Sequence, residues 1–426
     1  MKEEIKGVFE SLADATIIPN VRDAVRGLSS DSCLIGPVEF YGDRSVVINA
    51  SVIVLKAPRD KKEARKIAAL HSFLRELGLG AKDIFFVPSI NGSSSGIVDR
   101  ISWLSKKNDL IPLKAKKLQF FIDTPEADEL TSLLQSEKIG SSAAVSRAIN
   151  NKVLQREIAA LLPEEIFPPH LIAKDEAEAV AAFRRLSIQG AVLAKVGHLA
   201  SGEGMRVIWS EEEANSFWSS WTPILKSQTL PEKIIFEEKM ALASAHNSIS
   251  VQFFKSGEKL CYLGASIQHI GSDGITHEGN KIGADIRFQL PIWIEEEMIR
   301  KSRLLLSAFP KVEGFIGFDF IVCQDDKILM TEVNLRMTAS TLLFSLVPQV
   351  GSHLSFDLRK IHVGPQPKIG LIDLLKKLRK FNNPERIIIP LNGRLFDESG
   401  DMFVVVCAPA FEQIEEARSE VLGWFK

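Results

Sequence analysis

Apolar and polar residues follow one another along the first third of the chain in a pattern typical of alternating strands and helices. An apolar β-branched run covers 45–55, a charged segment with helical periodicity covers 60–78, and a second apolar run covers 84–89. This pattern predicts a strand, a helix that ends at Gly78, and another strand. Because a strand, helix, strand order is typical of a crossover connection, we expect a parallel sheet with the helix on one face.

The middle of the chain predicts a small α+β unit. Serines between 141 and 146 suit the N-cap of a helix that runs towards Pro163. After a Pro-rich turn, the pattern predicts a helix, a strand, a glycine turn, a second strand and a second helix, over 176–186, 191–197, 200–204, 205–210 and 211–218. Two strands joined by a glycine-rich turn are typical of a β-hairpin.

The rest of the chain is rich in strands. Apolar runs predict strands at 248–254, 259–270, 315–323, 327–335, 386–396 and 402–409. Helical periodicity predicts helices at 293–309, 371–381 and 411–425. We therefore expect an α/β and α+β multidomain protein that is divided into four units, 1–140, 141–235, 236–350 and 351–426.

Composition narrows the class of protein. A content of 45% hydrophobic and 25% charged residues is ordinary for a soluble protein, and 52 basic against 54 acidic residues leave no net charge that points to nucleic acid or to an anionic membrane. The four cysteines form no CxxC pair, which favours reduced structural thiols. Neither a signal peptide nor an apolar run of about 18 residues is present, so we expect a cytoplasmic protein.

The predicted hairpin at 315–335 carries the most informative polar residues. Glu332, Asn334 and Arg336 are spaced by two, which places them on one face of a strand, and Asp319 on the partner strand can face the same way. Oxygen ligands of this kind suit Mg²⁺, and Arg336 suits a phosphoryl oxygen. The alternative is a solvent-facing hairpin on which these side chains only alternate with core residues.

Two further segments suit nucleotide binding. Lys195 lies late in an apolar strand, directly before the turn Ser201-Gly202-Glu203-Gly204. A lysine and the bare N–H groups of a glycine loop can together hold polyphosphate. The segment at 236–240, FEEKM, is either an edge strand with exposed acids or a hinge between two lobes that contacts adenine. The Gly/Ser cluster at 91–96 is either a phosphate loop or a plain loop.

These segments occur in the order and at about the spacing of the ATP-grasp superfamily, which the chain resembles over roughly 141–345. The resemblance implies a Rossmann-like pre-ATP-grasp domain, a two-lobed ATP-grasp core and a small α/β C-terminal extension. It implies ATP-binding residues in the small lobe and hinge, namely Lys152, Lys195, Ser201, Gly202, Gly204, Glu237, Glu238 and Met240. It also implies that Asp319, Glu332 and Asn334 hold Mg²⁺, with Mn²⁺ as an alternative, and that Arg336 and Lys195 act on the transferred phosphoryl group.

A narrower resemblance concerns the product. The segments NLRMTAST, HEGNKIG and the C-terminal strands are similar to those of peptide ligases of the pheganomycin-biosynthesis type. That resemblance implies an ADP-forming carboxylate–amine ligase with small-molecule or peptide substrates. A kinase that uses the same nucleotide site and a non-catalytic nucleotide-binding protein remain alternatives. We expect no nucleic-acid or membrane partner and allow for a homodimer. His269 and His277 flank a glycine turn and are either structural or substrate-facing.

Overall fold

The computed structural model describes residues 2–20, 44–87, 97–106, 116–197, 204–227, 230–243, 248–283, 290–364, 367–391 and 401–425. It begins with a sheet of five parallel strands in the order β3-β2-β1-β4-β5. These strands are β1 (Ala15–Ile18), β2 (Val52–Lys56), β3 (Asp83–Val87), β4 (Lys117–Phe120) and β5 (Glu137–Ile139). The accompanying helices are α1 (Lys2–Glu10), α2 (Lys61–Glu76), α3 (Ile97–Lys106) and α4 (Pro125–Leu133). The predicted parallel sheet is therefore confirmed, whereas its Rossmann-like character stays a prediction.

The first predicted strand is wrong in its extent. Only Val52–Lys56 is a strand, because the N–H of Ile48 donates to the carbonyl of Ser45 at 3.0 Å and closes a turn in the first half of the run. The predicted end of the next helix is confirmed, since α2 is capped by Leu77 and followed by Gly78, whose φ of 74° suits glycine. The Gly/Ser cluster at 91–96 lies outside the described residues.

The helix predicted to run from the serines towards Pro163 is divided in two. Ser142 caps α5 (Ala143–Ile149), and the side chain of Asn151 then caps α6 (Lys152–Ala159) by accepting from the N–H groups of Val153 and Leu154. Because this second cap starts a new helix, Lys152 lies in the first turn of α6 and not in a helix interior.

The small lobe is a four-stranded antiparallel sheet in the order β6-β9-β7-β8. Its strands are β6 (His170–Ala173), β7 (Val192–Val196), β8 (Met205–Ile208) and β9 (Ile234–Glu238), and its helices are α7 (Glu176–Leu186) and α8 (Glu211–Ser227). The lobe has its own hydrophobic core, which includes Phe183, Phe217 and Phe236. Strand β9 crosses the domain boundary predicted between 235 and 236.

The large sheet has eight strands in the order β14-β13-β10-β11-β12-β15-β17-β16, all of them antiparallel to their neighbours. Its strands are β10 (Ser248–Ser256), β11 (Lys259–Ile270), β12 (His277–Ile282), β13 (Gly314–Val322), β14 (Ile328–Asn334), β15 (Ser355–His362), β16 (Ile387–Pro390) and β17 (Asp401–Ala408). The accompanying helices are α9 (Ile292–Ser307), α10 (Ala339–Val350), α11 (Leu371–Phe381) and α12 (Phe411–Gly423). The residues predicted as a C-terminal extension thus continue the sheet through β15, which pairs with β12. Among the described helices, none combines the length and the apolar character that crossing a bilayer requires.

Candidate active site

The hairpin of β13 and β14 brings the predicted metal residues together. Asp319 and Glu332 are directly opposite each other in the antiparallel register, and Asn334 is opposite Gly317 two positions along. Residues two apart on a strand share a face, so the predicted arrangement of Asp319, Glu332 and Asn334 on one face is confirmed. Arg336 lies two residues beyond the end of β14. A β-bulge directly after Asp319 was not predicted.

A hydrogen-bond chain fixes the carboxylate of Asp319. The side-chain amide of Gln268 donates to Oδ1 at 3.2 Å, and that of Asn334 donates to Oδ2 at 3.0 Å. The guanidinium of Arg336 in turn donates to Oδ1 of Asn334 at 2.5 Å. The three hairpin residues are therefore ordered by one another, and Gln268 on β11 joins them from across the sheet.

The two carboxylates differ in their electrostatic environment. Burial, followed by the negative charge of Glu332, raises the pKa of Asp319 to about 7. Burial also opposes the charged form of Glu332, but the positive charges of Lys152 and Arg336 outweigh it and lower the pKa of that carboxyl. Two carboxylates that share a partly buried face repel each other, and a divalent cation would relieve that repulsion.

The oxygen donors of the hairpin fit Mg²⁺. No group of three or more His, Cys, Asp or Glu side chains arranged for a metal is present among the described residues. Mg²⁺ keeps several waters and takes few protein ligands, commonly one or two carboxylates together with substrate phosphates. Asp319 and Glu332 provide two such carboxylates at adjacent positions.

Lys152 connects the start of α6 to the hairpin. Its ammonium lies 2.9 Å from Oε1 of Glu332, with only 3% of the side chain exposed. The backbone N–H of Lys152 donates to the carbonyl of Gly197 at 2.8 Å, which ties α6 to the end of β7. The residue thus lies where the small lobe meets the large sheet.

Lys195 belongs to a buried group of three charges. Its ammonium lies 2.6 Å from Oε1 of Glu237, and the guanidinium of Arg156 lies 2.8 Å from Oε2 of the same carboxylate. Each of the three side chains is at most 2% exposed. Burial is the main cause that lowers the pKa of Lys195, and the pair with Glu237 opposes it. Glu237 therefore orients the lysine, and the adenine contact predicted for it stays a prediction.

Arg156 is a residue that the sequence analysis missed. Besides Glu237 it donates to the backbone carbonyl of Thr331 in β14 at 2.6 Å, and it lies over the ring of Phe167 at 4.0 Å from the centroid. It therefore joins the small-lobe sheet to the hairpin. Its spacing of four residues from Lys152 was the available signal, since positions i and i+4 share a helix face.

Of the remaining predicted nucleotide residues, Glu238, Met240 and Gly204 belong to the described part of the chain. Glu238 ends β9 and its N–H donates to the carbonyl of Pro169 at 2.9 Å, while Met240 is half-buried in the segment that leaves the small-lobe sheet. Gly204 has a φ of 65° and its carbonyl accepts from Val196 at 2.8 Å. Ser201 and Gly202 lie outside the described residues.

Comparison of the sequence with known proteins gives distant matches. No family model matches the chain. The chain is 23% identical over 221 residues to the carbamoyl phosphate synthase large chain of Hyperthermus butylicus, covering 52% of this chain and 19% of that one. It is 24% identical over 219 residues to the C-terminal section of the same synthase from Aquifex aeolicus, covering 50% of this chain and 37% of that one. The match thus spans far less than two thirds of either relative.

Comparison of structures extends over nearly the whole chain. The biotin carboxylase of Campylobacter jejuni aligns with 93% of this chain and 87% of its own length, at a TM-score of 0.61 and 13% identity. The N5-carboxyaminoimidazole synthase of Aspergillus clavatus aligns with 96% of this chain and 98% of its own length, at a TM-score of 0.57 and 13% identity. Both are ATP-grasp enzymes.

The chain has the ATP-grasp fold. Within that fold, the junction described above lies between the small-lobe sheet and the large sheet, where Lys152 and Lys195 approach the carboxylates of the hairpin. The narrower likeness to pheganomycin-type ligases stays a prediction, as do the four domain boundaries.

Proposed function

We propose that this ATP-grasp chain is an ATP-dependent ligase that activates a carboxylate by phosphorylation and joins the acyl phosphate to an amine. The observation that carries the proposal is the meeting of Lys152 on α6 and Lys195 in the small lobe with the carboxylates, amide and guanidinium at the β13–β14 hairpin. Relatives with the same fold support it: the Aspergillus synthase is described in complex with ADP, and a carboxylase domain from Hydrogenobacter thermophilus with MgADP and bicarbonate.

In the proposed site the lysines bind ATP. An ammonium group has three N–H donors, so Lys195 can hold Glu237 and a phosphate oxygen at the same time. Lys152 is held beside Glu332 in the same way. Asp319, Glu332 and Asn334 would hold Mg²⁺, which would supply positive charge that offsets the negative charge of the phosphate groups. Glu238 and Met240 would contact adenine, and the glycines of the loop would bind phosphate, as predicted from the sequence.

Arg336 acts on the reacting atoms. Its guanidinium is held against Asn334 at the end of the hairpin and is always charged, so it can bind the γ-phosphoryl group while the substrate carboxylate attacks in line. That attack breaks the bond between the γ-phosphorus and ADP, and ADP leaves. The amine then attacks the carbonyl carbon of the acyl phosphate, the C–N bond forms, phosphate leaves with the electrons of the C–O bond, and the amine nitrogen releases a proton to water or to the leaving phosphate. Arg336 is placed to stabilise the negative charge of the tetrahedral intermediate.

Product analysis tests the proposal. Purified chain would be incubated with Mg²⁺-ATP and pooled amino acids and dipeptides, and ADP, phosphate and product masses would be measured. We expect ADP release that depends on an acid and an amine, with a product that equals the two substrates minus one water. Glu332→Ala should reduce turnover at least about a hundredfold, since it removes a ligand of the Mg²⁺ that would offset negative charge in the transition state.

His362→Gln is the matched control. His362 is exposed and paired with Asp401 on β17, away from the hairpin, so turnover should stay at the wild-type level. A phosphorylated product without amide would favour the kinase alternative. Nucleotide binding without turnover on any substrate pair would contradict the ligase proposal. The cytoplasmic location and the homodimer stay predictions, and the Hydrogenobacter relative is described as a dimer.

A further inference from the structure

The strand that carries the candidate site residues, β14, is hydrogen-bonded on its outer side by side chains. Strand β14 stands at one end of the order of the eight-stranded sheet, so β13 is its neighbour among the described strands. In an antiparallel sheet, alternate residues of an edge strand point their N–H and C=O groups away from that neighbour. Where such groups are buried, they need a partner from another part of the chain.

Two amide side chains are the partners of Val333 in β14 and of Leu335 directly after it. The N–H of Val333 donates to Oε1 of Gln155 at 3.3 Å, and Nε2 of Gln155 donates to the carbonyl of Val333 at 3.0 Å. The N–H of Leu335 donates to Oδ1 of Asn150 at 2.9 Å, and Nδ2 of Asn150 donates to the carbonyl of Leu335 at 3.3 Å. Since a side-chain amide both accepts and donates, each one replaces a residue of a neighbouring strand. We call Asn150 and Gln155 the amide pair.

Each member of the amide pair is itself held in place. Nε2 of Gln155 also donates to the carbonyl of Ile149 at 2.6 Å, and this side chain is completely buried. Nδ2 of Asn150 also donates to the hydroxyl of Ser146 at 3.1 Å. Because these further bonds fix both amides on the segment of α5 and α6, the amide pair sets the position of β14 along its own axis.

The backbone groups that the amide pair holds alternate with the candidate site residues. Val333 and Leu335 are interleaved in the sequence with Glu332, Asn334 and Arg336. Neighbouring residues of a strand point their side chains to opposite faces but share one backbone. Fixing that backbone at two alternate positions therefore fixes the carboxylate, the amide and the guanidinium that face the site.

The segment that carries the amide pair also carries Lys152. The ammonium of Lys152 lies 2.9 Å from Oε1 of Glu332, and its backbone N–H donates to the carbonyl of Gly197 at 2.8 Å. One segment thus holds both the lysine and the strand of the carboxylate. A shift of β14 along its axis would change the distance between the proposed phosphate-binding ammonium and the proposed metal-binding carboxylate.

We propose that Asn150 and Gln155 are positioning residues of the Mg²⁺-nucleotide site. They act through the backbone of Val333 and Leu335, and they place the metal-binding side chains of β14 at the distance from Lys152 that the metal and the phosphates require. Groups that orient metal ligands in this way contribute to metal affinity although they do not contact the metal. The inference rests on the Mg²⁺-nucleotide site of the function proposed above and does not depend on the product.

Binding of Mn²⁺, followed by electron paramagnetic resonance, tests this inference without turnover. The full chain would be titrated with Mn²⁺ at a saturating concentration of a non-hydrolysable ATP analogue. Asn150→Leu and Gln155→Met nearly keep the volume of each side chain and remove its hydrogen bonds. We expect each substitution to weaken Mn²⁺ binding at least about tenfold, as is typical when a group that orients a metal ligand is lost. Calorimetry should show near wild-type binding of the analogue without metal, because Lys152 and Lys195 are unchanged.

Asn382→Leu is the matched control. Asn382 holds Ile388 in β16 in the same manner, since it donates to the carbonyl and accepts from the N–H of that residue, both at 3.0 Å. Strand β16 stands at the opposite end of the order of the same sheet. We expect the control to lose thermal stability about as Asn150→Leu does, because both lose a two-way backbone contact, and to keep the wild-type Mn²⁺ affinity.

Amide hydrogen exchange of the wild type gives a second measurement that needs no variant. The N–H groups of Val333 and Leu335 should exchange as slowly as those that join β13 to β14, because the amide pair replaces a neighbouring strand. Fast exchange at both positions would overturn the inference. So would wild-type Mn²⁺ affinity in either folded variant, or an equal loss of affinity in Asn382→Leu.

The two proposals can fail separately. Weaker Mn²⁺ binding in both variants, with no ligation of any acid and amine by the wild type, would contradict the ligase and support the positioning role. Ligation by the wild type, with unchanged Mn²⁺ affinity in the variants, would retain the ligase and overturn the positioning role. Absence of Mn²⁺ binding in the wild type would overturn both.

Discussion

Glu237 interacts with two buried cations at once, and this decides how the residues of the site respond to substitution. Removing the carboxylate charge in Glu237→Gln leaves Lys195 and Arg156 buried without the carboxylate that both of them contact. Breaking a buried pair in this way costs about 3–5 kcal/mol. We therefore expect Glu237→Gln to lower the free energy of unfolding by that amount, as measured by urea denaturation.

Lys195→Met provides the contrast at the same place. Glu237 keeps its partner Arg156 at 2.8 Å, so the loss of stability should be smaller than in Glu237→Gln, while nucleotide binding should be lost. An equal loss of unfolding free energy in the two variants would show that the ion pair with Arg156 does not compensate the burial of the Glu237 carboxylate.

Asp123 makes stability depend on pH. It follows β4, accepts from the N–H of Ser141 at 2.9 Å and lies 3.4 Å from Lys138. Burial is the main cause that raises its pKa from 3.8 to about 6. Between pH 3.8 and pH 6 the carboxyl of Asp123 is protonated in the folded chain and ionised in the unfolded chain. Its contribution to the free energy of unfolding is therefore full below pH 3.8 and is lost as the pH rises through 6.

The size of this effect follows from the shift in the pKa of Asp123. At about 1.4 kcal/mol per unit, the contribution amounts to about 3 kcal/mol over the whole window. The side chain in Asp123→Asn cannot titrate. Raising the pH from 4 to 7 should therefore lower the unfolding free energy of the wild type relative to that of the variant. Urea denaturation at each pH measures it, and a constant difference would contradict the assigned cause.

At the residue scale the sequence predicts residues that share one segment and misses those that come together from distant segments. Asp319, Glu332 and Asn334 were found because strand periodicity alone places them on one face. Gln268 carries no such local signal, and the helical spacing of Arg156 from Lys152 does not identify its partner, because the partner of each residue lies more than 50 positions away. Only the packing of the lobes shows which buried carboxylate each one contacts.

At the element scale, close approach of two strands makes one glycine indispensable. An added Cβ at Gly279 on β12 would lie 1.9 Å from the carbonyl oxygen of Leu358 on β15. Gly279→Ala should therefore separate the strands and cost about 3 kcal/mol or more. Gly257 has open space around it and a φ of +56°, so Gly257→Ala should cost only about 1 kcal/mol. Thermal unfolding of the two variants measures the difference, and similar losses would contradict the close packing of β12 and β15.

Long elements were predicted better than short ones. The helices at 371–381 and 411–425 were found at nearly their observed bounds, because each shows several turns of periodicity. The four-residue strand β1, which lies at the centre of the parallel sheet, was missed. A run that short has too few alternations to distinguish it from a loop, and only its pairing with β2 and β4 stabilises it.

At the scale of the whole molecule, residues 351–426 share the core of the large sheet. Phe356 and Val405 of this segment belong to the same hydrophobic cluster as Ile5 and Phe318. A chain that ends at Gly351 would expose that cluster and the edge of β12, so we expect it to lose cooperative thermal unfolding or to aggregate. Cooperative unfolding near the wild-type temperature would show instead that the segment is an independent unit.

The central claim is that Mg²⁺ and a nucleotide bind together between the small lobe and the β13–β14 hairpin. Calorimetric titration of the chain with a non-hydrolysable ATP analogue, with and without Mg²⁺, tests it most directly. The account predicts that Mg²⁺ strengthens binding at least about tenfold in wild type and in His362→Gln, that Glu332→Gln removes this gain, and that Lys195→Met abolishes binding in both conditions. Equal affinity with and without Mg²⁺, or wild-type binding by Lys195→Met, would contradict it.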